Sequence, residues 1–172
     1  MLRLFLLIAS FAQLLAFQAT AQQNAPVNSA PLAPNAPADR PMSVVVADKA
    51  DSEAASAAFE QHIAPAIKKA RATLPQAKNR FLQGLPSGQA FYVTTRISDP
   101  NGPYEQVFVR VKQWQGTRVQ GFIASQLDVV KTYQQNQLIT FSTSDIFDWT
   151  ISRPDGSEEG NFIGKLIDAD SQ

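Results

Sequence analysis

Hydrophobic and polar positions follow three successive patterns along the chain. Residues 4–17 are apolar except for Ser10 and Gln13. Residues 51–82 are rich in alanine, with larger apolar residues three or four positions apart, which is typical of one face of a helix. After Gly88 apolar and polar residues alternate, and this period of two is typical of strands with one buried face. The pattern predicts helices first and strands afterwards.

The helical segment contains two prolines, and both bear on its continuity. Asp51 or Ser52 can cap its start, and Gly84 can end it. Because proline lacks an N–H donor and its ring clashes with the preceding turn, we expect a new helical start at Pro65 and a last turn from Pro75. The apolar stripe consists of Ala55, Phe59, His62, Ile63, Ala66, Ile67, Ala70 and Leu74.

Turn residues divide the later part of the chain into six alternating runs. The predicted strands span residues 91–98, 104–114, 119–124, 137–141, 146–152 and 161–167, and the β-branched run Ser43–Val46 could add one more. Residues 115–117 predict a tight hairpin, and residues 153–160 predict a polar hairpin loop. Helices followed by hairpin-connected strands indicate an α+β fold, with N-terminal helices packed on one face of a mostly antiparallel sheet of about six strands.

The first 41 residues predict export and a spacer. Arg3, the apolar stretch and the small residues Ala19 and Ala21 form the three parts of a bacterial signal peptide over residues 1–21, cleaved near Ala21. Residues 22–41 hold five of the eleven prolines among Ala, Asn and Gln, and so predict a disordered linker. Residues 42–172 predict a single domain, periplasmic or secreted and without a membrane anchor after cleavage.

Charge and cysteine content exclude several classes of function. The 15 basic residues less Arg3 leave 14 against 15 acidic ones, and this near-neutral balance argues against nucleic acid as a partner. The chain has no cysteine, which excludes disulfides, thiol catalysis and thiolate metal sites. His62 is the only histidine, and we expect it to be a partly buried helix residue. Residues 155–159 lack the spacing of a calcium loop, so neither a metal nor a cofactor is expected.

Two acids, Asp145 and Asp148, occur in the apolar segment DIFDWTI. In a strand, Phe147, Trp149 and Ile151 would face the core, and Asp148 would face the other way with Ile146 and Thr150. Residues three apart lie on opposite faces, so the two carboxylates are poorly placed to share a proton. We expect Asp145 to close a turn through backbone amides, and Asp148 to be satisfied by an arginine or a loop amide.

Glu105 begins the apolar face of the longest predicted strand. The simpler interpretation is an ion pair with Arg96 or Arg118 at the rim of the core, because an unpaired buried carboxylate is costly. The alternative is that Glu105 and Asp148 meet in a shallow polar pocket.

The opposite face of the same strand is aromatic and basic. Its predicted members are Tyr104, Phe108, Arg110, Lys112 and Trp114. If this face is open to solvent, it can bind an extended peptide, a glycan or a nucleic-acid single strand by stacking and charge. If the residue 125–136 connection or the helices cover it, it is a second layer of core, and the period of two leaves both possibilities open.

The order of several segments resembles the YegJ-like family, a catalogued domain of unknown function (number 2314). The segments are Lys69–Leu74, Glu105–Val109, Gly121–Ser125, Leu138–Phe141 and Ile146–Trp149, within a similarity that spans roughly residues 44–167. The chain departs from the family pattern at Phe108, where tryptophan is usual, and at Asn136, where glycine is usual. Asparagine tolerates the left-handed backbone that such a turn requires. The resemblance implies the fold and a cell-envelope setting, and it implies no reaction.

We therefore predict an exported, non-enzymatic binding or accessory domain. Its candidate binding residues are Glu105, Phe108, Arg110, Trp114, Asp148 and Trp149. One alternative is an envelope hydrolase that uses Glu105 or Asp148 as acid or base. Another is an inhibitor or immunity-type interaction protein, and the oligomeric state is left open.

Overall fold

The computed structural model describes residues 49–100, 102 and 104–170. Helix α1 spans Lys49–Gln83, and the strands are β1 (Ala90–Ser98), β2 (Tyr104–Gln115), β3 (Arg118–Ile123), β4 (Leu138–Ser142), β5 (Asp148–Ser152) and β6 (Glu158–Gly160). A short 3-10 turn, Thr143–Asp145, precedes β5, and helix α2 spans Phe162–Asp170. The predicted leader, the linker and the possible strand Ser43–Val46 lie outside the described residues.

Helix α1 is continuous, so the predicted restart at Pro65 and the separate last turn from Pro75 are wrong. Both prolines lie on the exposed side of the helix, where water can reach the carbonyl groups that lose a partner. The buried stripe runs past both of them without a change of phase and consists of Phe59, Ile63, Ala66, Ala70, Leu74 and Ala77. Packing of this stripe against the sheet and against helix α2 therefore stabilises the helix through the two prolines. The helix ends as predicted, with Gly84 in the left-handed region at φ 94°.

The six strands form one sheet in the order β4-β3-β2-β1-β5-β6, and every neighbouring pair is antiparallel. This arrangement confirms the α+β prediction. The main core lies between the sheet and α1, where Phe91, Val93, Val107 and Val109 pack against Ala70 and Leu74. Asn136 adopts φ 65°, so the left-handed turn predicted there is confirmed.

The prediction of a last strand over residues 161–167 is wrong. The sixth strand is Glu158–Gly160, within the predicted hairpin loop, and the chain then leaves the sheet through Gly160 (φ 82°) and Asn161 (φ 50°). Residues 162–170 form α2, whose Ile163, Leu166 and Ile167 pack against α1 at the i, i+3, i+4 spacing of a helix. In so short an apolar run the strand and helix periods cannot be distinguished from the sequence alone.

A bulge in β2 explains a second difference from the sequence pattern. The register with β3 shifts between Val111 and Gln113, and an extra residue of this kind reverses the alternation of side chains beyond it. Trp114 therefore points to the helix-covered face, where it is 4% exposed and meets Phe91 edge-on. The prediction that Trp114 shares a face with Phe108 and Arg110 is wrong for this reason. Among the described residues, no helix is long and apolar enough to cross a membrane.

Candidate functional site

Backbone amides surround the buried carboxylate of Glu105 at the start of β2. One oxygen accepts the N–H of Asp128 at 2.9 Å, and the other accepts those of Val129 at 3.0 Å and Val130 at 2.8 Å. The predicted ion pair is wrong: Arg96 pairs with Glu60 at 2.6 Å, and Arg118 faces Gln115 at the opposite end of β2, about 33 Å along the strand. Glu105 thus fixes the connection between β3 and β4 to the sheet.

Asp148 holds the start of α2 in a comparable way. Its carboxylate accepts the N–H of Trp149 at 2.7 Å and that of Ile163, in the first turn of α2, also at 2.7 Å. Burial raises the pKa of this carboxyl to about 6, although the N–H groups of Ile163, Trp149 and Phe162 and the charge of Lys165 oppose the rise. Backbone amides satisfy Asp148, but they belong to β5 and α2 and not to the arginine or loop that the sequence predicted.

The structure does not bring Glu105 and Asp148 into one pocket. Glu105 lies opposite Ile97 on one side of β1, and Asp148 lies opposite Thr94 on the other side, so two strand spacings and three residues of β1 separate them. Residues 94 and 97 of a strand also point to opposite faces of the sheet. Each carboxylate binds a different set of backbone amides, so no shared acid and base pair forms.

The other polar candidates serve local structure. Asp145 accepts the N–H of Ser142 at 3.0 Å and so closes the turn before β5, as predicted. Asp155 accepts the N–H and hydroxyl of Ser157 within the β5–β6 hairpin, at 2.9 and 2.7 Å. His62 is 49% exposed and contacts Asp170 at 2.6 Å, so the expectation of partial burial is wrong. In the described part of the chain, no three potential metal ligands lie together.

No helix of the described residues covers the face of the sheet opposite α1, and this helix-free face contains only part of the predicted aromatic and basic patch. Arg110 and Lys112 are exposed there, whereas Phe108 is buried in a small cluster with Ala90, Tyr92 and Ala124. Ile146, predicted to share this face with Asp148, lies instead in the core beside α1, because β5 begins only after it. The predicted patch is thus reduced to a pair of surface cations beside a buried layer.

Several polar side chains in this layer have no hydrogen-bond partner among the described residues. They are the hydroxyl groups of Tyr92, Thr150 and Ser152 and both amide atoms of Gln106. Tyr92 lies between Thr150 and Arg110 in the strand register, and burial raises the pKa of its phenol while Arg110 partly opposes the rise. Because these side chains are at most 4% exposed, they form a buried polar layer and not an open surface.

An open groove of about 700 Å³ lies between α1 and α2 and reaches β6. The α1 wall runs from Pro65 to Arg80, about 22 Å along the helix axis. Side chains that line the apolar part include Ala66, Ala77, Trp149, Phe162 and Leu166. This volume falls within the range typical of pockets for small ligands.

The indole of Trp149 is held firmly beside this groove. Its ring stacks on Phe91 with centroids 6.3 Å apart and an interplanar angle of 3°, and it meets Phe162 at 79°. Its N–H donates to the hydroxyl of Thr73 at 2.9 Å. The sequence identified Trp149 as a candidate but missed its α1 neighbours, although Lys69, Thr73, Gln76 and Arg80 repeat at the 4-3-4 spacing of one helix face.

Charged groups at the groove differ in whether they are paired. Arg80 and Arg153 both bind Glu159, at 2.6 and 2.9 Å. Lys165 lies 3.9 Å from Glu158 and donates to the carbonyl of Gly160 at 2.7 Å. Lys69 has no carboxylate partner among the described residues, and its ammonium lies 4.9 Å from the centroid of the Phe162 ring. Within the described residues, Lys69 is therefore the cation of the groove that has no acidic partner and can bind an anion.

Comparison with known proteins gives a family and no activity. Residues 60–169 match the family model described as "Uncharacterized protein conserved in bacteria (DUF2314)". The match covers α1 from Glu60 onwards, all six strands and nearly all of α2. No curated protein and no solved structure shows a significant match.

Proposed function

The chain belongs to the DUF2314 family of uncharacterized bacterial proteins, and we propose that it is an exported, non-enzymatic binding domain that holds its ligand in the groove between α1 and α2. The observation that carries this proposal is the open groove itself, with an apolar interior, a fixed tryptophan and Lys69, a cation for which the described residues supply no acid partner. A concave, mostly apolar site with a few polar groups is the usual form of a ligand site.

The state of the two buried acids supports binding over hydrolysis. A general acid or base must reach the proton that it transfers. Glu105 and Asp148 are 3% and 1% exposed, and backbone amides bind both of them. An envelope hydrolase that uses these residues is therefore disfavoured, whereas an inhibitor or immunity-type role would be one form of the proposed binding.

The leader pattern of residues 1–21 supports export. Expression of the full chain in a bacterial host, followed by fractionation and N-terminal sequencing, tests this part. We expect a periplasmic product that begins near Gln22. An unprocessed chain in the cytoplasm would contradict the export proposal and leave the binding proposal intact.

Site-specific photocrosslinking in the native host tests the groove. A photoreactive amino acid at Gln76, on the α1 wall, should give adducts that mass spectrometry of the purified protein detects. The same amino acid at Lys112, exposed on the helix-free face, is the matched control and should give none. Adducts from position 112 alone would overturn the proposed location and return the site to the face that the sequence predicted.

A further inference from the structure

We propose that the groove binds an amphiphile with an aliphatic chain and one anionic headgroup, and that the headgroup contacts Lys69. This inference rests on the proposed binding function and adds the chemical class of the ligand. It follows from three properties of the groove: its apolar interior, the aromatic rings that already pack against other side chains, and the distribution of charged residues.

The interior favours an aliphatic chain. Pro65, Leu166 and Ala169 contribute accessible alkyl surface, and each buried methylene of a ligand would gain about 0.8 kcal/mol in such surroundings. The α1 wall extends for about 22 Å, so the groove is long enough for an extended chain and not only for a compact ring.

The aromatic side chains do not offer the surface that a sugar ring would need. Carbohydrates stack on an exposed aromatic face, but Trp149 is 4% exposed and already stacks on Phe91. The ammonium of Lys69 lies over the ring of Phe162. The hydroxyl of Thr73 is likewise occupied, since it accepts from Trp149 and donates to the α1 backbone. A glycan would therefore find little to stack on and few free hydrogen-bonding groups.

The charge of the groove favours an anion. Its lining includes three cations, Lys69, Arg80 and Lys165, against two acids, Glu158 and Glu159. Both acids already bind cations, and Arg153 from outside the groove adds a second contact to Glu159. Lys69 is the lining cation without an acid partner in the described part of the chain, and it lies beside Phe162 at the α2 wall. A carboxylate or phosphate there would form the missing ion pair while its chain follows α1.

Isothermal titration calorimetry on the mature chain (residues 22–172) tests the proposal, with dodecanoate and dodecyl phosphate below their micelle concentrations and dodecanol below its solubility limit. We expect saturable one-to-one binding of at least one of the two anions, and the tighter one identifies the headgroup. Dodecanol should bind about two- to fivefold more weakly, because a partly exposed ion pair contributes about 0.4–1 kcal/mol. Equal binding of dodecanol and both anions would overturn the role of charge.

Two matched pairs of variants locate the binding. Lys69→Met should weaken anion binding about two- to fivefold, whereas Lys68→Met, which removes the same charge outside the groove, should leave it unchanged. Gln76→Trp should fill the groove and weaken binding by at least about tenfold, whereas Gln61→Trp, exposed and outside the lining, should have no effect. Equal effects within either pair would overturn the assignment to this groove.

A measurement without mutation covers the case in which a variant fails to fold. Trp149 lines the groove and Trp114 does not, so dodecanoate brominated along its chain should quench part of the tryptophan fluorescence of the wild-type protein. No quenching at saturation would overturn the proposal.

An acidic amphipathic peptide that binds in the groove when neither dodecyl anion does would also overturn it. If such a peptide crosslinks at Gln76, the proposed binding function is still supported and only the ligand class is wrong. If nothing crosslinks at Gln76, both the binding function and the ligand class are contradicted.

Discussion

The carboxylate of Asp148 accepts the backbone N–H of Ile163 at 2.7 Å, and this bond joins the first residue of β5 to the first turn of α2. Helix N-termini present N–H groups without partners inside the helix, and a carboxylate there satisfies them and complements the helix dipole. Asp148 therefore sets the position of α2, and with it one wall of the groove.

The raised pKa of Asp148 predicts how stability depends on pH. The folded protein binds this proton with a pKa of about 6, against 3.8 for the ordinary carboxyl, so the folded state holds more protons between these values. The contribution of this group to stability is therefore complete below pH 4 and is lost as the pH rises through 6, by about 3 kcal/mol in total.

Urea unfolding from pH 4 to 7.5 tests this prediction. The free energy of unfolding of the wild type should fall with pH, and that of Asp148→Asn should lack this slope. His62→Gln, which leaves Asp148 in place, is the control and should keep the slope. An equal slope in wild type and Asp148→Asn would contradict the prediction.

Glu105→Gln should lower the free energy of unfolding and leave the surface ion pairs unchanged. The amide retains one acceptor oxygen, and its NH₂ group would face a backbone N–H of residues 128–130. We expect a loss of about 2–4 kcal/mol in the free energy of unfolding, because hydrogen bonds to a charged group contribute about 1.5–3 kcal/mol each. Glu60→Gln, in the exposed pair with Arg96, should cost less than about 1 kcal/mol. Similar losses for the two variants in chemical denaturation would refute this account.

The bulge in β2 predicts opposite results for two residues that the sequence placed together. Trp114→Ala should cost about 3–5 kcal/mol, since it empties a core position between Phe91 and the Thr143 hydroxyl that accepts the indole N–H. Arg110→Ala, on the exposed helix-free face, should change stability by less than about 0.5 kcal/mol. Thermal and chemical unfolding of both variants measures the difference, and a large loss for Arg110→Ala would show that this face is part of the core.

Gly160 predicts a steric effect next to the groove. A Cβ at this position would collide with the backbone oxygen of Trp149 and lie 2.8 Å from its indole ring. Gly160→Ala should therefore cost about 2–4 kcal/mol, more than the backbone strain alone. Gly156→Ala is a close control, because its φ of 81° matches the 82° of Gly160 and a Cβ there meets nothing within 4 Å. Equal unfolding free energies for the two variants would show that the collision is relieved without cost.

The candidate site was only partly accessible to sequence reasoning. Trp149 was found because it is an aromatic residue in a distinctive segment, and it does line the groove. Lys69 and Lys165 are 96 residues apart in the chain, and nothing in either local pattern indicates that they share a groove. Trp114 was assigned to the wrong face because alternation assumes a regular strand, and one extra residue at the bulge reverses it.

The sequence by itself determined the order of elements up to β5, the tight turn between β2 and β3 and the antiparallel pairing, because periodicity and turn chemistry act over a few neighbouring residues. Only the tertiary structure decided that α1 continues through Pro65 and Pro75 and that residues 162–170 form a helix. These outcomes depend on contacts between distant residues, namely the α1 stripe against the sheet and α2, and Asp148 against the N–H of Ile163 in α2. The free energy of such contacts exceeds local preferences of a few kcal/mol, and it becomes available only when the whole chain has folded.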